Sequence, residues 1–362
     1  MEHKLSVYRL ANFLIVIVLG YIILQQGSFF LIPLVLAALL TVMLQPLHRF
    51  YLRLVKYMVP AVLLTLFSVI IFLGIIITLL SMQLTVIIND LDNITGKINE
   101  GLQQVFIWLN THLNLEESDL RENIPNLANN AMGFVQKGIA SVTTFIFNLF
   151  FVLLLIFFML LYQQNFKQFL VMQASPQKRG NMEDILHKIQ KTMRKYLYGL
   201  FTVMGIVAVL NSTGLLIIGI KYAIFWGVLA ALLSVIPYIG TTLGGTLPFL
   251  YAVATAGNWW QPLTVVALYV VVQQLEGSII TPKVVGSSVS INPLFALLSI
   301  ILGGFIWGIT GIILAIPIAG VIKIILDHNA RTKAIGFLLG NQMSSKSDKF
   351  WKIMREDEQA EE

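Results

Sequence analysis

A chain of 362 residues in which 57% are hydrophobic and only 12% charged, with a mean hydropathy of +0.81, is too apolar for a soluble domain of this size. It reads as an integral membrane protein, so the excess of 24 Lys and Arg over 18 Asp and Glu carries topology rather than a nucleic-acid surface. Zero cysteines exclude disulfides and thiol chemistry, and five scattered histidines (His3, His48, His112, His187, His328) lack metal-ligand spacing, so neither a metal nor a cofactor is expected.

A helix needs roughly 20 apolar residues to cross a bilayer core. On that measure the sequence offers about eight apolar blocks: 10–24, 28–45, 59–88, 139–162, 196–220, 222–256, 259–281 and 293–327, with breaks inside 222–256 and 293–327. The first block follows Lys4 and Arg9 as in a signal peptide. No small-residue cleavage pattern closes it, and it is expected to be a retained anchor. The expected class is an all-α polytopic membrane protein, beginning with N-terminal transmembrane helices over 1–88.

Between the blocks, charge sets orientation. Arg49, Arg53 and Lys56 place the first turn in the cytoplasm. Residues 89–138 hold three cations (Lys97, Arg121, Lys137) against seven acids, which places this segment outside. Its apolar residues Leu91, Ile94, Ile98, Leu102, Val105 and Leu109 recur in steps of three and four, the mark of an amphipathic helix needing a partner. After the span 139–162 comes a basic segment, 163–195, carrying Lys167, Lys178, Arg179, Lys188, Lys191, Arg194 and Lys195, expected inside. Met182, Ile185, Ile189 and Met193 repeat the amphipathic spacing there, and a helix lying on the membrane surface is expected. The C-terminal transmembrane region, 196–327, leads to a basic cytoplasmic tail, 328–362. Both termini are expected in the cytoplasm.

Parity constrains the C-terminal region. Five crossings leave the chain outside at Lys221, so an odd number must return it inside by Asp327. Either both broken blocks are re-entrant hairpins that enter from opposite faces, with 259–281 crossing between them, or each broken block crosses twice. The breaks carry a repeated phrase: Phe225-Trp226-Gly227 then Ile236-Pro237-Tyr238-Ile239-Gly240, and later Ile306-Trp307-Gly308 then Ile316-Pro317-Ile318-Ala319-Gly320. Paired interruptions of this kind point to a transporter's substrate path, although Pro and Gly are also ordinary residues of membrane helices. In both topologies the two Trp-Gly to Ile-Pro legs are expected to run in parallel, from outside to inside.

A charge at the centre of a membrane helix costs about 2.5–3.5 kcal/mol on insertion scales, which makes Glu276 the candidate of interest. Gln273 lies three residues before it on the same helix face, and Gln274 flanks the pair. A carboxylate in an apolar setting can exchange a proton near neutral pH. The functional reading of Glu276 is proton coupling or contact with a polar substrate; the structural one is a pair with Lys283 or a cap near Pro282. Lys323 is expected to snorkel or to pair with Asp327. Gly240, Gly244, Gly245, Gly303, Gly304, Gly308 and Gly311 have small-residue spacing for close helix approach, and Trp226, Trp259, Trp260 and Trp307 are expected as interfacial anchors. The Gly96-Lys97 pair lacks the rest of a P-loop, and no nucleophile has a plausible base, so no enzyme and no catalytic residue is expected.

With these residues in place, the chain resembles the autoinducer-2 exporter family of bacterial membrane proteins over nearly all of residues 5–330. The likeness rests on Ile32-Pro33-Leu34 to Gln45-Pro46, the Ile236 to Gly240 turn, Gln273-Gln274-Leu275-Glu276 to Pro282, Asn292-Pro293-Leu294, and Gly303-Gly304 through Gly308, Gly311 and Pro317. The resemblance implies a homo-oligomer, a pentamer, in the bacterial inner membrane. It also implies export of autoinducer-2 or sodium/proton antiport. The expected pathway residues are Pro237, Tyr238, Gly240, Gln273, Gln274, Glu276, Gly304, Gly308, Gly311 and Pro317. Expected partners are a small polar substrate, a coupling proton or sodium ion, membrane lipid and other copies of the chain, with no nucleic acid. A membrane scaffold that transports nothing is the third reading.

Overall fold

The computed structural model describes residues 7–89, 142–236, 239–255, 258, 260–285, 289–329 and 332–341. The expected exterior helix therefore lies outside the described residues, as do Pro237, Tyr238 and Trp259. The described chain is helical: α1 (Val7–Gln26), α2 (Ser28–Val55), α3 (Met58–Asn89), α4 (Val142–Leu161), α5 (Gln163–Met172), α6 (Arg179–Ile218), α7 (Ala223–Leu233), α8 (Ile239–Thr255), α9 (Trp260–Leu275), a π-helical turn (Glu276–Ile280), α10 (Thr281–Val284), α11 (Pro293–His328) and α12 (Lys333–Leu339). There is no strand among the described residues, only an isolated bridge between Ile291 and Gly340.

Among the described residues, five helices are long and apolar enough to cross a membrane: Ser28–Val55, Met58–Gln83, Pro176–Ile218, Trp260–Val284 and Pro293–His328. A sixth arises if Phe147–Leu161 and Gln163–Met172 count as one broken span. Ala11–Gln26 and Ala223–Leu233 are shorter apolar helices. Their large apolar side chains lie on the surface of the chain, including Val16 on α1, Phe72 on α3 and Val270 on α9. Such faces suit hydrocarbon rather than water.

Local chemistry sets the helix ends. Lys56 sits at a positive φ of 64° and separates α2 from α3, whose first turn accepts Pro60 because its backbone N–H groups have no helical partner. The C-terminus of α6 closes on Gly219 (φ 86°), with the Ile220 N–H donating to the Leu215 carbonyl and the Gly219 N–H to the Leu216 carbonyl. At the start of α11, the Asn292 side chain accepts from the Phe295 N–H at 2.9 Å, and Pro293 takes the first position.

The residues group into two compact units. The first holds 1–43, 162–196 and 287–362, and the second 44–161 and 197–286. The Met182 to Met193 stripe belongs to the same continuous 40-residue helix, α6, that contains the following span. Met193 is buried, and Met182, Ile185 and Ile189 are half-buried.

In the second unit the core gathers where α7 and α8 fold back on each other and pack with α9 and the end of α6. Leu215, Phe225, Trp226, Leu250, Tyr251 and Val265 are buried there. Trp226 stacks between Phe225 and Tyr251 with ring centroids 4.9 and 5.4 Å away. It is a core residue, not the interfacial anchor expected from its type. Burial of so large a ring outweighs the preference of its N–H for an aqueous boundary.

Candidate functional site

Both broken blocks are helical hairpins. In the second unit, the chain turns back after α7, and Gly244 of α8 meets Ala230, where an added Cβ would lie 2.9 Å from the Ala230 Cβ. Gly240 abuts the Leu233 carbonyl so closely that no side chain fits. In the first unit, α11 breaks at Trp307 (φ −130°, ψ 19°) and Gly308 (φ 58°, ψ −137°). Its legs meet at Gly303 and Gly311, and a Cβ on Gly303 would lie 3.2 Å from the Ala315 Cβ. In a straight helix those two residues would stand about 18 Å apart.

The hairpins share a design of a short leg followed by a long one. At 1.5 Å rise per residue, α7 is about 16 Å long and α8 about 26 Å; in α11 the legs Pro293 to Ile306 and Ile309 to His328 are about 21 and 30 Å. A short leg does not cross a hydrocarbon layer of roughly 30 Å. The repeated phrase, however, does not mark equivalent places. Its first Trp-Gly, Trp226-Gly227, lies inside α7, whereas its second, Trp307-Gly308, is the tip of a hairpin. Ile236 lies at the first break, whereas Pro317 is buried inside a long leg. The structural partner of Pro317 is Pro248, since each lies about nine residues into its long leg. The two Trp-Gly to Ile-Pro stretches thus occupy different parts of their hairpins: the first is the short leg with its turn, and the second is the tip with the start of the long leg.

Between the hairpins in sequence runs α9, continued by the π turn and α10. Gln261 fixes its N-terminal end, its backbone N–H donating to Asn258 Oδ1 (3.2 Å) and its Nε2 donating to the Ile218 carbonyl (3.1 Å). Pro262, Val265 and Val272 are its buried stripe. Gln273, Gln274 and Ser278 are exposed, and Glu276 is half-buried. The Thr281 N–H donates to the Glu276 carbonyl, five residues back, and this bond defines the π turn. Pro282 supplies a physical cause: it has no N–H to return to residue 278, and its ring would crowd that carbonyl in an α register. Gln274 Nε2 donates to Ser278 Oγ at 3.1 Å across the widened turn. π turns recur at functional sites.

Glu276 makes no ion pair with Lys283 among the described residues; the ion pairs there are Lys167 with Glu183 (3.3 Å) and Lys323 with Asp327 (2.6 Å). The second is the pair expected from sequence. Glu276 lies within the apolar span Trp260–Val284 and is half-buried there. Insertion of such a group is tolerated where it meets water, a polar partner or another subunit.

Of the expected pathway residues, Gln273, Gln274 and Glu276 lie together on α9 and its π turn, and Gly240 starts α8 in the same unit. Gly304, Gly308, Gly311 and Pro317 belong to the first unit. There, Gly304 faces the Ile312 side chain, Gly308 has open space at its Cβ direction, and the Trp307 indole N–H donates to the Leu24 carbonyl at 2.8 Å. Sequence reasoning missed an open groove of about 460 Å3 between α8 and α9, lined by Thr242, Thr246, Phe249, Tyr269, Gln273 and Gln274. The signal was present: Thr242 and Thr246 are four apart and share a face of α8.

The family model for the AI-2E family transporter matches residues 12–331. The AI-2 transport protein TqsA of Escherichia coli is 26% identical over 344 residues, covering 90% of this chain and 95% of that protein. The Bacillus subtilis protein YueF is 24% identical over 307 residues, covering 80% of this chain and 82% of its own length.

Proposed function

The chain belongs to the AI-2E family of transporters, and from that premise we propose that it is a secondary transporter exporting a small polar molecule, similar to autoinducer-2, across the bacterial inner membrane. The observation that carries the reading is the cluster of exposed Gln273, Gln274 and Ser278 with half-buried Glu276, set in an otherwise apolar span at a π-helical turn. Polar side chains at that depth are costly against lipid and are explained by a path for a polar solute. The E. coli relative's name, an AI-2 transport protein, supplies the candidate substrate.

In this proposal the pathway residues are those expected from sequence, Pro237 through Pro317. The exterior segment 89–138 and the basic segment 163–195 face opposite sides of the membrane, and both termini are cytoplasmic. The working assembly is a homo-oligomer, with a pentamer as the first candidate. No cofactor, metal or catalytic group is required.

The half-buried Glu276 favours one second reading, a sodium/proton antiporter with this carboxylate as the exchange site. Reconstituted vesicles separate the two. The export reading predicts efflux of autoinducer-2 by the wild type and no sodium-dependent proton flux. Sodium-dependent proton flux that disappears in Glu276→Gln, without autoinducer-2 efflux, would overturn it in favour of antiport. A chain that moves neither solute would leave the scaffold reading.

A further inference from the structure

The groove between α8 and α9 has a chemistry of its own, and we infer that it is a binding site for an uncharged, hydroxyl-bearing molecule the size of a sugar ring. This deepens the transport reading and rests on it for the identity of the first probe. The volume, about 460 Å3, lies within the roughly 300–1,000 Å3 of small-molecule sites. Its lining contains no charged side chain. Glu276 is not part of it, so the groove offers nothing to offset the charge of a cation or an anion.

What the groove offers is a set of neutral donors and acceptors. Two primary amides, Gln273 and Gln274, together carry four N–H donors and two carbonyl acceptors, and one N–H of Gln274 is engaged with Ser278. Thr246 gives its hydroxyl proton to the Thr242 carbonyl at 2.7 Å, which leaves its oxygen as an acceptor. An amide and a neighbouring diol can pair twice, since each presents one donor and one acceptor, whereas a hydrocarbon chain would strand these groups. The Tyr269 hydroxyl is buried without a hydrogen-bond partner, and its ring lines the groove. Phe249 and Tyr269 supply flat apolar walls of the sort that cover the C–H face of a ring.

The helix contact places these groups. Gly245 faces the Tyr269 ring, where an added Cβ would lie 3.2 Å from its Cγ. A larger residue at that point would push α8 from α9 and change the groove. Gly245 thus acts as a positioning residue for the site, separate from the residues that touch the ligand.

The test uses the purified full chain in lipid nanodiscs, with autoinducer-2 and its phosphate ester as probes in equilibrium binding, and the same variants in vesicle efflux. Wild type is expected to bind autoinducer-2 and to bind the charged ester at least tenfold more weakly. Gln273→Leu and Thr246→Val are expected to weaken autoinducer-2 at least tenfold, Gln273→Asn to weaken it less, and Val271→Leu, outside the groove, to change it less than twofold. Absence of wild-type binding, tighter binding of the ester, or unaltered binding in both variants would overturn the groove. So would a change of oligomer size in Gln273→Leu with binding retained, because the groove would then be a subunit contact. Binding lost in the variants while wild type exports nothing would sink the transport reading and leave the site. Efflux indifferent to both variants would sink the site and leave the transport reading.

Discussion

The two hairpins look alike in sequence and alike in outline, but the two likenesses are out of register. In the first, α7 and α8, the chain reverses after Leu233 and the Trp-Gly pair is packed in the core. In the second, within α11, the chain reverses on the Trp-Gly pair itself. The difference lies in backbone freedom. Gly308 occupies φ 58°, ψ −137°, a conformation open essentially to glycine, whereas Gly227 is helical and small because Ser212 presses against it. One word is used once as a turn and once as a packing contact. A repeated phrase in a membrane sequence therefore marks small residues under steric demand and not, by itself, equivalent positions.

The comparison breaks most visibly at the leg contacts. Gly240→Val and Gly303→Val each place a side chain against backbone carbonyl or Cα atoms, and each is expected to cost about 3 kcal/mol or more. Size-exclusion profiles of detergent extracts should show little folded protein for either. Gly304→Ala, facing only the movable Ile312 side chain, should stay within about 1 kcal/mol and serves as the control.

Next comes the turn. Gly308→Ala meets no neighbour within 4 Å, so its expected cost of about 1–3 kcal/mol is backbone strain alone, and Gly308→Ser should lower the melting midpoint by a similar amount. If Gly308→Ala melts like wild type, the hairpin does not turn on a left-handed Gly308.

The tryptophans separate more gently. Trp307→Phe removes the bond from the indole N–H to the Leu24 carbonyl and should cost about 0.5–1.5 kcal/mol. Trp226→Phe has no such bond to lose, because its indole nitrogen is buried without a partner, and its cost should follow lost ring area. Thermal midpoints combined with an N-methyl-indole analogue at each position would show the contrast: methylation should hurt position 307 through the bond. The smallest effect is expected for Lys323→Met. It breaks a partly exposed pair at i,i+4 spacing and should cost about 0.3–0.5 kcal/mol, less in high salt.

Composition alone was enough for the class, because 57% apolar residues have no other stable setting at this length. The breaks in 222–256 and 293–327 were legible from Pro and Gly, and so was the Lys323–Asp327 pair from its spacing. What periodicity does not carry is which of several breakers actually breaks. Pro317 and Pro248 continue as helix interior, while Trp307 and Gly308 do not, and only the packing of Gly303 on Gly311 decides this. The π turn was likewise invisible, although Pro282 four residues after Ser278 contains its cause. The groove was missed because its two walls are 20 to 30 residues apart in sequence. The candidate carboxylate was found from sequence because a lone Glu in an apolar run needs no tertiary knowledge to be conspicuous.

The central claim is that the polar face of α9 and its π turn meets water within the membrane span. The chain contains no cysteine, so single cysteines can be placed at Gln274, Ser278 and, as the apolar surface reference on another helix, Phe72 of α3 in an unmodified background. A membrane-impermeant, water-soluble thiol reagent applied to vesicles of known orientation, from each side in turn, reads their exposure. Rapid labelling is expected at 274 and 278 from at least one side, slowed by autoinducer-2, with position 72 inert. Labelling at 274 and 278 as slow as at 72 would contradict the claim, because these polar positions would then be sealed from water and could not serve as a solute path.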